Sequence, residues 1–208
     1  MTPEVLTHLS NKDKILGRLI AQVGPCTFKQ KRRTPFHALV RAVTYQQLHG
    51  TAAETIFRRL KGLFPGRPFP SPQAILATSD ERLRSAGLSR AKTAAIKDIA
   101  AKTIEGIIPR SREIAKLTEI EILERLTTVR GVGPWTVDML LIFTLGRPDV
   151  LPVTDYGVRK GFALTYGWKD LPQPRELLEF GERWRPYRST AAWYFWRALE
   201  LPQNNGRG

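Results

Sequence analysis

Two features of the chain carry residue types that could do chemistry. One is a glycine hairpin, Leu126-Thr127-Thr128-Val129-Arg130-Gly131-Val132-Gly133-Pro134-Trp135-Thr136-Val137, and the other is an acid downstream of it in Val153-Thr154-Asp155-Tyr156. The hairpin reads as the end of one helix, a Gly-x-Gly turn, and a second helix with Pro134 at its first position. Glycines without a Cβ let the backbone turn tightly and approach another molecule. Pro134 loses nothing there, because the amide it lacks has no partner in a first helical turn. The following amides, with the positive end of the helix dipole behind them, can hold a phosphate. The plainer reading is a tight turn between two helices with no ligand. Asp155 also has a plain reading, as the N-cap of the next helix. Beside a polyanion, however, a carboxylate gains nothing for binding and points to catalysis. It could stabilise positive charge developing on a sugar, or orient and deprotonate an attacking water; both roles stay open.

The charge supports a polyanionic partner. Across 208 residues, 33 lysines and arginines face 19 acids, a net charge of +14. Such an excess suggests DNA or RNA far more than an acidic protein. No apolar run is long enough to span a membrane, and the N-terminus lacks the pattern of a secretory signal. Cys26 is the only cysteine. An internal disulfide, a cysteine-held iron–sulfur cluster and a cysteine-rich zinc site are therefore excluded. The expected setting is cytoplasmic and nucleoid-associated, or nuclear in a eukaryote.

The elements that must position these residues are helices. Apolar residues recur three and four apart in Ile15-Leu16-Leu19-Ile20 and in Phe36-Leu39-Val40-Val43, and a helix is expected from about Thr51 to Phe64. The proline-rich run Phe64 to Pro72 reads as a loop. Ser71, Ser79 and Ser89 are expected N-caps, and Gly106 to Pro109 breaks the chain. Thr118-Glu119-Ile120-Glu121 has the form of a capping box. Helices are expected over Pro134–Leu145, Pro174–Trp184 and Tyr187–Leu199, with Gln203–Gly208 a frayed tail. The fold class is all-α. The expectation is one compact unit over 1–208, built of two packed helical subdomains with a cleft between them. The hairpin motif spans about 118–145 and the loop leading to Asp155 about 146–156.

The hairpin, the Val153–Tyr156 segment, and the blocks Arg41–His49, Ala86–Lys92 and Glu182–Ser189 together resemble the helix-hairpin-helix DNA glycosylases. Within that superfamily the chain is most similar to the 3-methyladenine DNA glycosylase II family in its short, all-helical form. The resemblance implies that Asp155 is the catalytic aspartate. It implies that the backbone carbonyls of Thr127, Val129 and Val132 hold a monovalent cation, sodium or potassium, that bridges to a DNA phosphate. The amides of Gly131 and Gly133 would hold that phosphate, with no other cofactor required. Trp135 stands where bifunctional relatives carry a Schiff-base lysine, so base removal without strand cleavage is implied. The Gln47-Leu48-His49 segment would insert into DNA, with His49 the favoured plug and Leu48 next. Met139 departs from the pocket tyrosine of one branch.

The residues themselves suit such chemistry. A base inside a duplex must be rotated out at a cost of a few kcal/mol, and a ring-alkylated purine is a cationic leaving group that needs little acid catalysis. Aromatic faces attract cations, which makes Trp135, Tyr156 and Trp196 candidates for the base pocket, with core packing their plainer reading. Arg130, Arg90 and Lys92 are the candidate phosphate contacts. The expected protein is a monomeric, monofunctional glycosylase acting on double-stranded DNA that carries an alkylated base. A same-fold enzyme for uracil, mismatched thymine or oxidised guanine is the first alternative, and a non-catalytic DNA-binding module the second.

Overall fold

The computed structural model describes residues 2–48 and 50–202, and among them all regular structure is helical. In chain order the helices are α1 (Pro3–Lys12), α2 (Lys14–Val23), α3 (Pro35–Tyr45), α4 (Gly50–Gly62), α5 (Pro72–Ala77), α6 (Asp80–Ser85) and α7 (Arg90–Ile104). They continue as α8 (Ser111–Ile114), α9 (Glu119–Leu126), α10 (Pro134–Leu140), α11 (Tyr156–Tyr166), α12 (Pro174–Gly181) and α13 (Arg188–Ala198). The chain divides into two compact units, Met1–Gln30 with Gly146–Gly208, and Lys31–Leu145.

Local signals place the helix starts. The hydroxyls of Ser71, Ser79 and Ser89 accept the amides of Ala74, Arg82 and Lys92, each at 3.2 Å. Thr118 and Glu121 form the expected capping box at α9. The helix expected over Pro134–Leu145 is α-helical only to Leu140 and continues as a π-helical turn, Leu141–Leu145. In this last turn the Phe143 carbonyl accepts the amide of Lys31, at 2.7 Å. Helices α1 and α8 were not expected from the sequence pattern. The expected tail, Gln203–Gly208, lies outside the described residues.

In the first unit, α11 and α13 pack main chain against main chain. A Cβ at Gly161 would sit 1.9 Å from the carbonyl oxygen of Phe195, so only glycine lets these helices approach so closely. Around them Leu9, Leu16, Phe162, Leu177, Trp184 and Tyr194 form a fully buried core. Asp13 ties this core together. Its Oδ1 caps α2 by accepting the amides of Ile15 and Leu16, both at 3.0 Å. Its Oδ2 accepts the Tyr166 hydroxyl at 2.6 Å and the Trp184 indole N–H at 3.0 Å. Burial alone would raise the Asp13 pKa. The bonds from Tyr166, Leu16, Trp184 and Ile15 outweigh it and hold the carboxyl below its ordinary 3.8.

In the second unit, α3 packs against α4, α7 and α10 through Leu39, Val40 and Val43. The loop before α5 is fastened by aromatic stacking: Phe69 lies 3.9 Å from the His37 ring, nearly parallel to it. Burial, then the charges of Arg33, Lys61 and Arg41, lowers the His37 pKa from 6.5 to about 4.

These two groups give separate acid windows. The unfolded chain takes up a proton at His37 near pH 6.5 while the folded protein resists until about 4, so stability falls across that interval. Asp13 contributes fully above 3.8, and its share is lost only as pH drops further through its depressed value. Urea unfolding from pH 7 to 3 should show both phases, with His37→Phe flattening the first. Asp13→Asn sets an amide N–H₂ against the Trp184 N–H and should cost about 3 kcal/mol at neutral pH. A loss under about 0.5 kcal/mol, the range of ordinary surface changes, would remove Asp13 from this role.

Candidate functional site

The segment leading to Asp155 is gripped by α13 at both ends. At its start, Arg188, with a side chain only 9% exposed, donates from Nε to Asp149 Oδ1 at 2.8 Å and from Nη2 to the Asp149 carbonyl at 2.9 Å. Arg185 pairs with the same carboxylate. Ser189 Oγ accepts the amide of Val150 at 2.9 Å and donates to the Arg147 carbonyl at 2.7 Å. At its end, Asp155 caps α11: its Oδ1 accepts the Val158 amide at 2.8 Å. The same oxygen accepts the indole N–H of Trp196 at 2.9 Å. The plain reading of Asp155 as an N-cap is thus realised, and it fixes the carboxylate at a helix N-terminus. The structure gives Trp196 a use other than its ring face, since its N–H orients Asp155. Tyr156 is 63% exposed, with Lys160 Nζ 5.9 Å from its ring centroid.

The hairpin belongs to the second unit. Thr127 ends α9, the Val132 amide donates to the Val129 carbonyl at 3.0 Å, and Gly133 N-caps α10. Gly131 has φ +77°, and a Cβ there would lie 2.9 Å from Ala95 Cβ, so the turn also lets α7 approach. The carboxylate of Asp98 on α7 accepts the Arg130 amide at 2.8 Å. Arg130 and Arg90 have exposed side chains. Lys92 is a correction. Expected on a phosphate, its ammonium instead turns inward to the carbonyls of Thr44 and Gln46, and burial lowers its pKa.

Trp135 lines a cavity of about 420 Å³ with Tyr45, Met139 and Phe143 on its apolar side and Lys31, Arg33 and Arg41 on its charged side. Arg41 lies 3.7 Å over the Tyr45 ring, and the Tyr45 hydroxyl donates to Glu54. Gln47 and Leu48 are exposed, and Gln47 has φ +55°. The favoured plug, His49, lies outside the described residues. Asp98, Arg188 and Ser189 were missed as site-shaping residues because each acts on a partner more than thirty positions away, and Glu54 because its partner Tyr45 lies on the preceding helix. Among the described residues no group of three His, Cys, Asp or Glu could hold a metal ion. Nor is any helix among them long and apolar enough to cross a membrane.

This hairpin and capped aspartate, each held by its own set of contacts, occur in a chain that belongs to the HhH-GPD superfamily of base excision DNA repair proteins, whose family model matches residues 40–186. Among its relatives is DNA-3-methyladenine glycosylase 1 of Schizosaccharomyces pombe, 39% identical over 93% of this chain and 86% of the relative. The alkylbase DNA glycosidase-like protein mag2 of the same organism is 34% identical over 93% and 92%. Of solved structures, the S. pombe 3-methyladenine DNA glycosylase in complex with abasic DNA superposes with a TM-score of 0.89 at 38% identity, covering 95% of this chain and 97% of that one. A DNA-3-methyladenine glycosidase from Bacillus halodurans gives 0.83 at 33%, covering 95% and 89%.

The Asp155–Trp196 contact depends on Gly157, where a Cβ would lie 2.9 Å from Trp196 Cδ1 and 3.1 Å from Asp155 Oδ1. Gly157→Ala should fold, since alanine favours a helix, yet displace the indole. The Trp196 Nε1–H proton resonance should shift and exchange faster with solvent. An unchanged resonance in the variant would show that the contact tolerates the methyl group.

Proposed function

We propose that this protein is a monofunctional DNA glycosylase that hydrolyses the N-glycosidic bond of alkylated purines, of the 3-methyladenine and 7-methylguanine type, in double-stranded DNA. The observation that carries the reading is the Asp155 carboxylate, held at the start of α11 by the Val158 amide and the Trp196 indole. Breaking the bond sends the electron pair with the base and leaves positive charge on the sugar. Water then adds to the anomeric carbon and loses a proton. Asp155 would stabilise that charge and orient the water. The cationic base needs no acid to leave. Trp135 would offer a ring face to it, while Trp196 would act through Asp155.

At the other end of the reaction, the amides of Gly131 and Gly133 would take a phosphate, with exposed Arg130 and Arg90 beside them. A sodium or potassium ion would rest on the carbonyls of Thr127, Val129 and Val132, neutral oxygens suited to a hard cation, and would add positive charge at that phosphate. The Gln47–Leu48 turn would wedge the duplex, and the left-handed backbone of Gln47 favours that exposed side chain as the plug. The protein would work as a monomer wherever the genome lies, in a nucleoid or a nucleus. Lys31, Arg33 and Arg41 around the cavity beside Trp135 favour a second reading, a neutral carbonyl-bearing base such as uracil or oxidised guanine. Measuring free-base release from duplexes carrying each lesion separates the two.

Asn can still cap α11 and accept the Trp196 N–H through its own Oδ1, so Asp155→Asn should fold and bind DNA. It should lose base release by roughly two to three orders of magnitude or more. Release within a few-fold of wild type would leave Asp155 a cap only. Product DNA should remain uncut until alkali is added, because tryptophan at 135 offers no amine; a borohydride-trapped adduct would overturn this.

Gly133 faces open space: a Cβ there would meet nothing within 4 Å, and its φ of −100° is ordinary for any residue. Gly133→Val should therefore fold but obstruct the phosphate. Duplex affinity should fall for all sequences alike, and the slope of log K against log salt should lose about 0.9, the value of one phosphate. An unchanged affinity and slope would make the hairpin a structural turn.

A further inference from the structure

The C-terminal end of α3 is held from two sides. Lys92 Nζ donates to the carbonyls of Thr44 at 2.8 Å and Gln46 at 2.7 Å. Those carbonyls belong to the last turn of α3 and its C-cap, where a helix leaves acceptors without partners and favours a cation. From that same C-cap residue the side chain reaches the hairpin: Gln46 Nε2 donates to the Gly131 carbonyl at 3.0 Å and to Thr136 Oγ1 at 3.2 Å. These two acceptors flank Gly133 along the chain. The next residue, Gln47, is forced into the left-handed region at φ +55°. Gln47 and Leu48 are exposed and face a cavity of about 710 Å³ shared with Gly133, Trp135 and Thr136. A strained, outward turn is thus anchored by one ammonium and one amide.

We infer that Gln46 and Lys92 are positioning residues that hold the Gln47–Leu48 turn in fixed register with the hairpin, so that phosphate capture at Gly131–Gly133 and entry of the turn into the duplex are a single event. The wedge is built before DNA arrives, which removes an ordering cost from binding. The inference rests on the glycosylase reading and deepens it. It also explains why Lys92 does not reach a phosphate.

The test uses the full chain and two duplexes, one with 7-methylguanine paired to cytosine and one with the same lesion opposite an abasic site. A 2-aminopurine beside the lesion reports unstacking. Gln46→Met and Lys92→Met keep side-chain length without the donors, Gln46→Glu keeps the shape, and Lys92→Arg keeps two donors. With folding verified by circular dichroism, both Met variants should retain the salt slope of binding. They should lose about tenfold or more in kcat on the paired lesion, with a weaker 2-aminopurine signal. The loss should shrink on the unpaired lesion, where less stacking and pairing must be broken, and Lys92→Arg should recover most of it. If Gln46→Met does not fold, Gln46→Glu stands in for it. Wild-type rates on the paired lesion, or equal losses on both duplexes, would overturn the inference. Failure of wild type to release base from either duplex would instead overturn the glycosylase reading, while the fluorescence comparison would still report on the turn.

Discussion

The contact of Gly161 with the Phe195 carbonyl sets the geometry on which the first unit depends. A methyl group there would overlap the oxygen at 1.9 Å, so α11 and α13 keep their spacing only because residue 161 has no side chain. That spacing brings Trp196 within 2.9 Å of Asp155, at the start of the helix that Gly161 occupies. Further back along α13, Ser189 and Arg188 hold Val150 and Asp149. A single helix therefore fixes the Asp155 segment at both ends, and the core residues Trp184 and Phe162 support it from below. A carboxylate held in this way needs little rearrangement to face a developing charge.

The second unit solves a different problem, holding the glycine turn of the hairpin in its shape. Helix α7 does much of this. Its Ala95 lies against Gly131, its Asp98 accepts the Arg130 amide, and its Lys92 caps α3. Two of these three contacts use charged side chains on main-chain groups rather than on ligand. The excess of basic residues is therefore not all on open surface: Lys92 and Arg188 maintain the frame, while Arg90 and Arg130 stay exposed.

What could be read from the sequence was local. Serine caps, the Thr118–Glu121 box and Pro134 at a helix start depend on neighbours within one turn, and they appear where their spacing places them. The hairpin and Asp155 were legible for the same reason, and the family likeness joined them. Contacts between distant segments were not. Lys92 looks like any basic residue at a helix start; only the fold shows that α3 ends beside it. Nothing in the spacing of Trp196 separates a pocket ring from a hydrogen-bond donor, and the partner that decides is 41 positions away. The break at Leu141 escaped because an apolar run satisfies an α and a π period equally well.

That break has a consequence of its own. A π turn closes its hydrogen bonds over five residues rather than four, so it is wider than the α-helix that it continues. Within that turn the Phe143 carbonyl takes the Lys31 amide, which ties together the two ends of the second unit's chain. Removing Leu141 or Ile142 would restore the α period and turn the Phe143 carbonyl by about 100° around the helix axis. The Lys31 tether would then be lost. Length at this point is thus constrained more tightly than identity.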